Sequence, residues 1–442
     1  MPRPGAEAAS ASEEPCFLPA TLLRERIARR ELSSVEVTCA VLERAERLQP
    51  TLNCFITICR DRALRDAQAA ERALLRGEAC GPLHGVPFTV KDIVNTAGVR
   101  TTFGSRLFEN NLPSEDAEAV ARLRRAGAIL IGKTTTPEFG AKSLTDAPLF
   151  GRTRNAWSAA HTSGGSSGGA AVAVACGIAP LAVATDGGGS TRIPAACNGV
   201  VGLKQSNGVI PHSQAPDAFG NYTFVTPMMR TIADTALMLQ VMAGADESDP
   251  WSYGPPEVDY LSAAKAEGSL AGKRILFCAA PPGRPIAAEV ANAFAAALDR
   301  LSDLGAELEE MDGARFDIEP IWRAINHTTW LARFGPMAAR DPGKMSPSLL
   351  RQLASASQVS GVAYQEAMFS RTALFRHVQA LLRDHDFLLT PTLSRTADRA
   401  GSLRQDPHRR QGVRRFARQL VSLDHAVQHD RASGHEHSLR VR

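Results

Sequence analysis

Three short runs hold most of the side chains that could do chemistry together: GVPFTVKD (Gly85 to Asp92), TSGGSSGG (Thr162 to Gly169) and TDGGGSTRIP (Thr185 to Pro194). Lys91 ends an apolar stretch, Pro87 to Val90. A lysine there is either a charge leaving a sheet edge or an amine stripped of hydration, whose pKa falls from about 10.4 until it can accept a proton. The second run reads either as flexible linker or as a tight turn. It lies between apolar segments and leads into a helix of very small residues, which favours the turn, because a buried linker would leave backbone groups unsatisfied. In the third run Gly187, Gly188 and Gly189 permit a sharp turn on which successive amides can converge beside the Ser190 hydroxyl, as an oxyanion hole requires. A phosphate-cradling loop is the rival reading. The spacing G-x-x-x-x-G-K-[ST] is absent and no G-x-G-x-x-G opens a later strand–helix–strand unit, so nucleotide binding is disfavoured. None of the runs contains His, and a Ser-His-Asp arrangement has no local support.

These runs need rigid elements around them. Ser33-Ser34-Val35-Glu36 fits a capping box, followed by Val37, Val41, Ala45 and Leu48 at helical spacing. A second helix is expected from Asp61 to Arg76. From Gly81 onward short apolar runs alternate with helical segments, the pattern of an α/β fold. Asp116 to Ala126 reads as a helix capped by Ser114, then Ala128 to Ile131 as a strand. Gly168 to Cys176 reads as a helix and Leu181 to Thr185 as the next strand. Lys273 to Cys278, Ile286 to Leu304 and Ala306 to Met311 repeat strand, helix, strand. Phe316 to Phe375 is helical in pattern, and its Trp322, Trp330 and Phe334 read as core. A mixed or parallel sheet covered by helices follows.

Composition excludes several classes. The chain has 442 residues, 44% hydrophobic and 22% charged, with Gly and Pro dispersed, so collagen-like, coiled-coil and wholly disordered chains are ruled out. No apolar run reaches the roughly 20 residues of a membrane span, and the first 15 residues read as a disordered lead-in without a signal-peptide core. A cytoplasmic location is the expectation. Eight cysteines without a C-x-x-C pair read as buried thiols in a reducing compartment, with no metal or disulfide framework. Residues 394–442 carry 11 Arg against five acidic residues, so the net charge of +4 combines a slightly acidic body with a basic tail.

Combined, the three runs resemble the amidase signature family: 75 residues separate Lys91 from Ser166, and 24 separate Ser166 from Ser190. GAILIGKTTTPEFG (Gly127 to Gly140) and DFLLTPTL (Asp386 to Leu393) extend the likeness, which runs from about Ser33 to Leu393. Thr191 departs from it, standing where the family usually has an aliphatic residue. The resemblance implies the amidase signature fold, a mixed β-sheet core covered by helices on both faces. It implies an N-terminal helical scaffold over 16–80 and a catalytic domain over 81–393. It also implies Ser190 as the nucleophile that forms an acyl-enzyme, Ser166 as a proton relay after a non-proline cis peptide, and Lys91 as the neutral base. Gly187, Gly188 and Gly189 would belong to the oxyanion hole, with Ser167, Asp186 and Arg192 as supports. No cofactor and no metal are implied. The expected partner is a small-molecule amide substrate, without nucleic acid or membrane; a homodimer stays open. An amidotransferase A-type subunit releasing ammonia, and an inactive truncated remnant, are the alternatives.

After Leu393 the resemblance stops. Family members normally continue with strands carrying Pro-Phe-Asn-x-Thr-Gly-x-Pro, whereas here an Arg/His-rich sequence follows, which metal or nucleic-acid binding would also fit. A third reading is more specific. Allowed codons for residues 420–440, shifted by one nucleotide, encode a string containing Met-Pro-Phe-Asn-Met-Thr-Gly-His-Pro. A change of frame between roughly Leu393 and Gln405 is the expectation drawn from it.

Overall fold

In the computed structural model, residues 14–220, 222–252, 258–265 and 268–397 are described. Most of the lead-in and almost all of the basic tail therefore lie outside the described residues. Contacts divide the chain into two compact units, with the boundary between Lys265 and Ala266.

In the first unit the helices Glu14–Phe17 and Ala20–Ala28 come before Ser33. The Ser33 hydroxyl accepts from the Val35 and Glu36 amides while the Glu36 carboxylate accepts from the Ser33 amide, a complete capping box that starts the helix Ser34–Leu52. The helix Arg60–Leu75 follows after a short strand, and together the two cover one side of the sheet. Six strands form that sheet: β1 (Phe55–Ile58), β2 (Pro87–Lys91), β3 (Ile129–Thr134), β4 (Leu181–Asp186), β5 (Val201–Gly202) and β6 (Phe224–Met229), in the order β1-β3-β2-β4-β6-β5. β2 is parallel to both β3 and β4, while β1, β5 and β6 pair antiparallel with their neighbours, so the sheet is mixed, as expected. All residues of β2, β3, β4 and β6 are buried, which is why the sequence at β2, β3 and β4 reads as apolar runs instead of alternating ones.

Helices lie on both faces. Leu181 and Val183 join Phe88 and Val90 in one apolar cluster with the helices Ala20–Ala28, Glu118–Arg125 and Ile232–Met242. Ala182 and Ala184 turn the other way, onto Ala170, Ala171 and Val174 of the helix Gly168–Ala175. Small residues are needed on that helix. A Cβ on Gly169 would stand 2.4 Å from Thr135 Oγ1 and 2.6 Å from the Cys54 carbonyl oxygen, so only glycine lets the helix approach the sheet this closely.

One sequence expectation is corrected here, and one strand was not foreseen. Ser114 does not cap the third helix, which starts at Glu118 after Ala117. The adjacent Asp116 carboxylate instead accepts from the Ala97 amide and pairs with Arg124, so the local polar group serves a long-range contact. β6 was not anticipated; it contains Pro227, a residue that lacks a ladder donor and normally argues against an interior strand.

The second unit repeats the strand–helix–strand logic expected for it. β7 (Arg274–Phe277), β8 (Glu307–Glu310) and β9 (Phe387–Leu389) form a parallel sheet in the order β8-β7-β9, with the helix Ala288–Asp303 linking β7 to β8. The helix Glu319–Arg340 packs against both Pro347–Ala356 and Gly361–Leu381. Phe334 is buried, but Trp322 and Trp330 are only half-buried and meet edge to face at 5.8 Å, so the reading of all three as core holds for Phe334 alone. The cysteines also vary: all are free thiols, four are buried, and Cys80 is exposed.

Candidate active site

Lys91 ends β2 in the middle of the sheet and is completely buried. Its Nζ donates to Ser166 Oγ at 2.6 Å, Ser167 Oγ at 2.8 Å and Thr185 Oγ1 at 2.8 Å. Its partners are three hydroxyls, and among the described residues no carboxylate is hydrogen-bonded to it. Burial drives the pKa of this amine well below the usual lysine value, and the charge of Asp186 opposes that shift only in part.

The hydroxyls come from two elements. Ser166 and Ser167 precede the helix Gly168–Ala175, and the peptide bond between Gly165 and Ser166 is cis. Ser167 Oγ also contacts the Thr185 carbonyl oxygen at 3.2 Å, so it donates there while accepting from Lys91. Thr185 is the next-to-last residue of β4. It was missed in the sequence reading, although it opens the TDGGGS run, because nothing local shows that its hydroxyl meets a lysine 94 positions away.

Asp186, which ends β4, shapes the Ser190 loop. Its buried carboxylate accepts from the amides of Gly188 (3.2 Å), Gly189 (2.7 Å) and Thr191 (3.0 Å), and from Arg192 Nε (3.0 Å) and Nη2 (2.9 Å). Burial alone would raise its pKa, but the Arg192 guanidinium and these amides hold the carboxyl well below the usual range. The Gly188 and Gly189 amides are thus spent on Asp186. Among the described residues, no hydrogen-bond partner is present for the Ser190 amide or hydroxyl, and the Ser190 carbonyl accepts from the Ser167 amide at 3.1 Å. That bond ties the two serine loops together.

Thr191 is fully buried, and its hydroxyl is hydrogen-bonded to that of Thr226 on β6. The departure at this position is therefore matched by a polar partner across the sheet. Of the residues singled out beforehand, the structure brings Lys91, Ser166 and Ser167 into direct contact, and joins Asp186 to Arg192 and to the glycine run.

Comparisons with known proteins show the family. The sequence profile of the amidase family matches residues 36–429. An acylamidase of Rhodococcus erythropolis is 36% identical over 387 residues, covering 86% of this chain and 79% of the relative. The A subunit of the glutamyl-tRNA(Gln) amidotransferase of Roseiflexus sp. (strain RS-1) is 35% identical over 415 residues, covering 87% and 83%. Among solved structures, a bacterial aryl acylamidase of the amidase signature family superposes with a TM-score of 0.81 at 28% identity, covering 87% of this chain and 82% of that one. With its sheet, its serine loops and its buried lysine in place, the chain belongs to the amidase signature family and is a hydrolase of amide carbon–nitrogen bonds.

Proposed function

We propose that the protein hydrolyses a small acyl amide through a Ser190 acyl-enzyme, with Ser166 and Lys91 moving the proton. The observation that carries this reading is a buried lysine whose hydrogen-bond partners are all hydroxyls. A neutral amine keeps two hydrogens, which Ser167 and Thr185 accept, and its lone pair is then open to the Ser166 hydroxyl proton. The Ser190 oxygen attacks the carbonyl carbon as its proton passes through Ser166 to Lys91. When the carbon–nitrogen bond breaks, the proton returns by the same route to the departing nitrogen. Water then attacks the acyl-enzyme, gives its proton to the relay, and the acid leaves. An amine is a poor leaving group, so the returned proton is the hard part of the reaction.

We assign oxyanion stabilisation to the Ser190 amide, with Gly188 and Gly189 fixing the loop on Asp186. Among the described residues, no helix is long and apolar enough to cross a membrane. The likeness to the A subunits of amidotransferases supports a second reading, glutamine-derived ammonia delivery within a complex. Co-purifying proteins and dependence on glutamine would favour it over free amide hydrolysis. For the main reading, a fluorophosphonate probe should label wild-type protein and spare Ser190→Ala; undiminished labelling of that variant overturns it.

A further inference from the structure

A second lysine, Lys133, is as deeply buried as Lys91 and takes no part in the relay. It lies on β3, where Val90 pairs with Lys133 and Lys91 with Thr134, so side-chain alternation sends the two lysines to opposite faces. Its Nζ donates to the Val94 carbonyl, to Thr96 Oγ1 at 2.8 Å and to Thr101 Oγ1 at 2.9 Å, which uses all three ammonium hydrogens. Asp92, the residue after Lys91, holds the rest of the same loop. Its carboxylate accepts from the Thr102 amide (3.1 Å) and hydroxyl, and its carbonyl from the Phe103 amide at 2.9 Å.

The loop leads back to the relay. The Phe103 carbonyl accepts from the Phe139 amide at 2.8 Å. Phe103 and Phe139 both sit at positive φ, 55° and 50°, a conformation that aromatic residues keep only when surroundings impose it. Next comes Gly140, where a Cβ would stand 3.3 Å from Ser166 Oγ and 3.4 Å from Ile93 Cδ1. The Gly140 backbone therefore walls the relay site from one side, leaving too little room for a side chain in front of Ser166 Oγ.

We propose that Lys133 and Asp92 are positioning residues: by fixing segment 94–103 they set the Phe139–Gly140 wall against Ser166, and so the geometry of proton return to the leaving group. Lys133 and Asp92 do not touch each other but hold successive parts of one loop, so what the two provide is a fixed arrangement. The Asp92 carboxyl is raised by burial to about 6 and the Lys133 ammonium lowered by burial to about 8, which leaves both charged between those values.

The inference rests on the Ser190–Ser166–Lys91 reading, and the test separates the two. An amide panel first selects an acyl group; the p-nitroanilide and the p-nitrophenyl ester of that acid are then compared on the full chain. A nitrophenolate leaves without a proton, whereas the amide nitrogen needs one. Lys133→Met should lower the anilide-to-ester ratio of kcat on the order of tenfold, and Thr101→Val should lower it in the same direction by less. Equal losses on both substrates, or an unchanged ratio in Thr101→Val, overturn the inference, and the latter decides should Lys133→Met fail to fold. Wild-type protein inert to every amide and to fluorophosphonate overturns the relay reading, and this inference with it.

Discussion

Lys91 and Lys133 share one sheet and equal burial, yet their surroundings give them different work. Lys91 meets three hydroxyls, and the nearby carboxylate of Asp186 is already engaged by Arg192 and by backbone amides. Lys133 meets a carbonyl and two hydroxyls with the Asp92 charge beside it, the largest influence opposing its loss of a proton. Burial alone does not make a base. What decides is whether a neighbouring carboxylate is left over to hold the proton, and at Lys91 Arg192 has removed it from use.

Swapping the lysines' fates would break this comparison. Lys91→Met should cut amide kcat by on the order of 10²–10⁴-fold, the worth of a positioned acid–base group, whereas the same change at Lys133 should cost far less. Comparable losses from the two variants would remove the distinction. Asp186→Asn should destabilise the protein by about 3 kcal/mol in urea titration, because it leaves Arg192 without its anion and loosens three amides. A change under 1 kcal/mol, on the order of a surface pair, would mean that Asp186 does not hold the loop. The smallest effect concerns pH. Lys91 has a lowered pKa when folded, so the native state binds fewer protons than the unfolded chain, and wild-type stability rises with pH. Between the folded pKa and 10.5, Lys91→Met should gain on wild type by about 1.4 kcal/mol for each unit by which pH falls. Parallel stability curves would show that Lys91 stays protonated in the fold.

The sequence made the local features legible. The Ser33 capping box, the Gly168–Ala175 helix and the Lys91 strand each rest on neighbouring residues, and each stands within a residue or so of its expected place. Contacts that join distant segments were not legible. Thr185 and Lys133 become informative only when β2, β3 and β4 lie side by side, and the Gly188 and Gly189 amides look available until Asp186 is seen to take them. Lys133 did offer a signal, since it follows the apolar run Ala128–Ile131 much as Lys91 follows Pro87–Val90. The Ser114 misreading has a physical cause: the contacts of Asp116 to Ala97 and Arg124 outweighed a local capping rule.

The Thr191–Thr226 hydroxyl pair carries an evolutionary corollary. Each hydroxyl is buried and is the other's hydrogen-bond partner. Replacing either threonine by valine keeps the volume but strands the remaining hydroxyl, at roughly 1–3 kcal/mol. Replacing both costs far less. The two positions are thus bound to change together, and a substitution accepted at one of them depends on the state of the other, thirty-five residues away on a neighbouring strand.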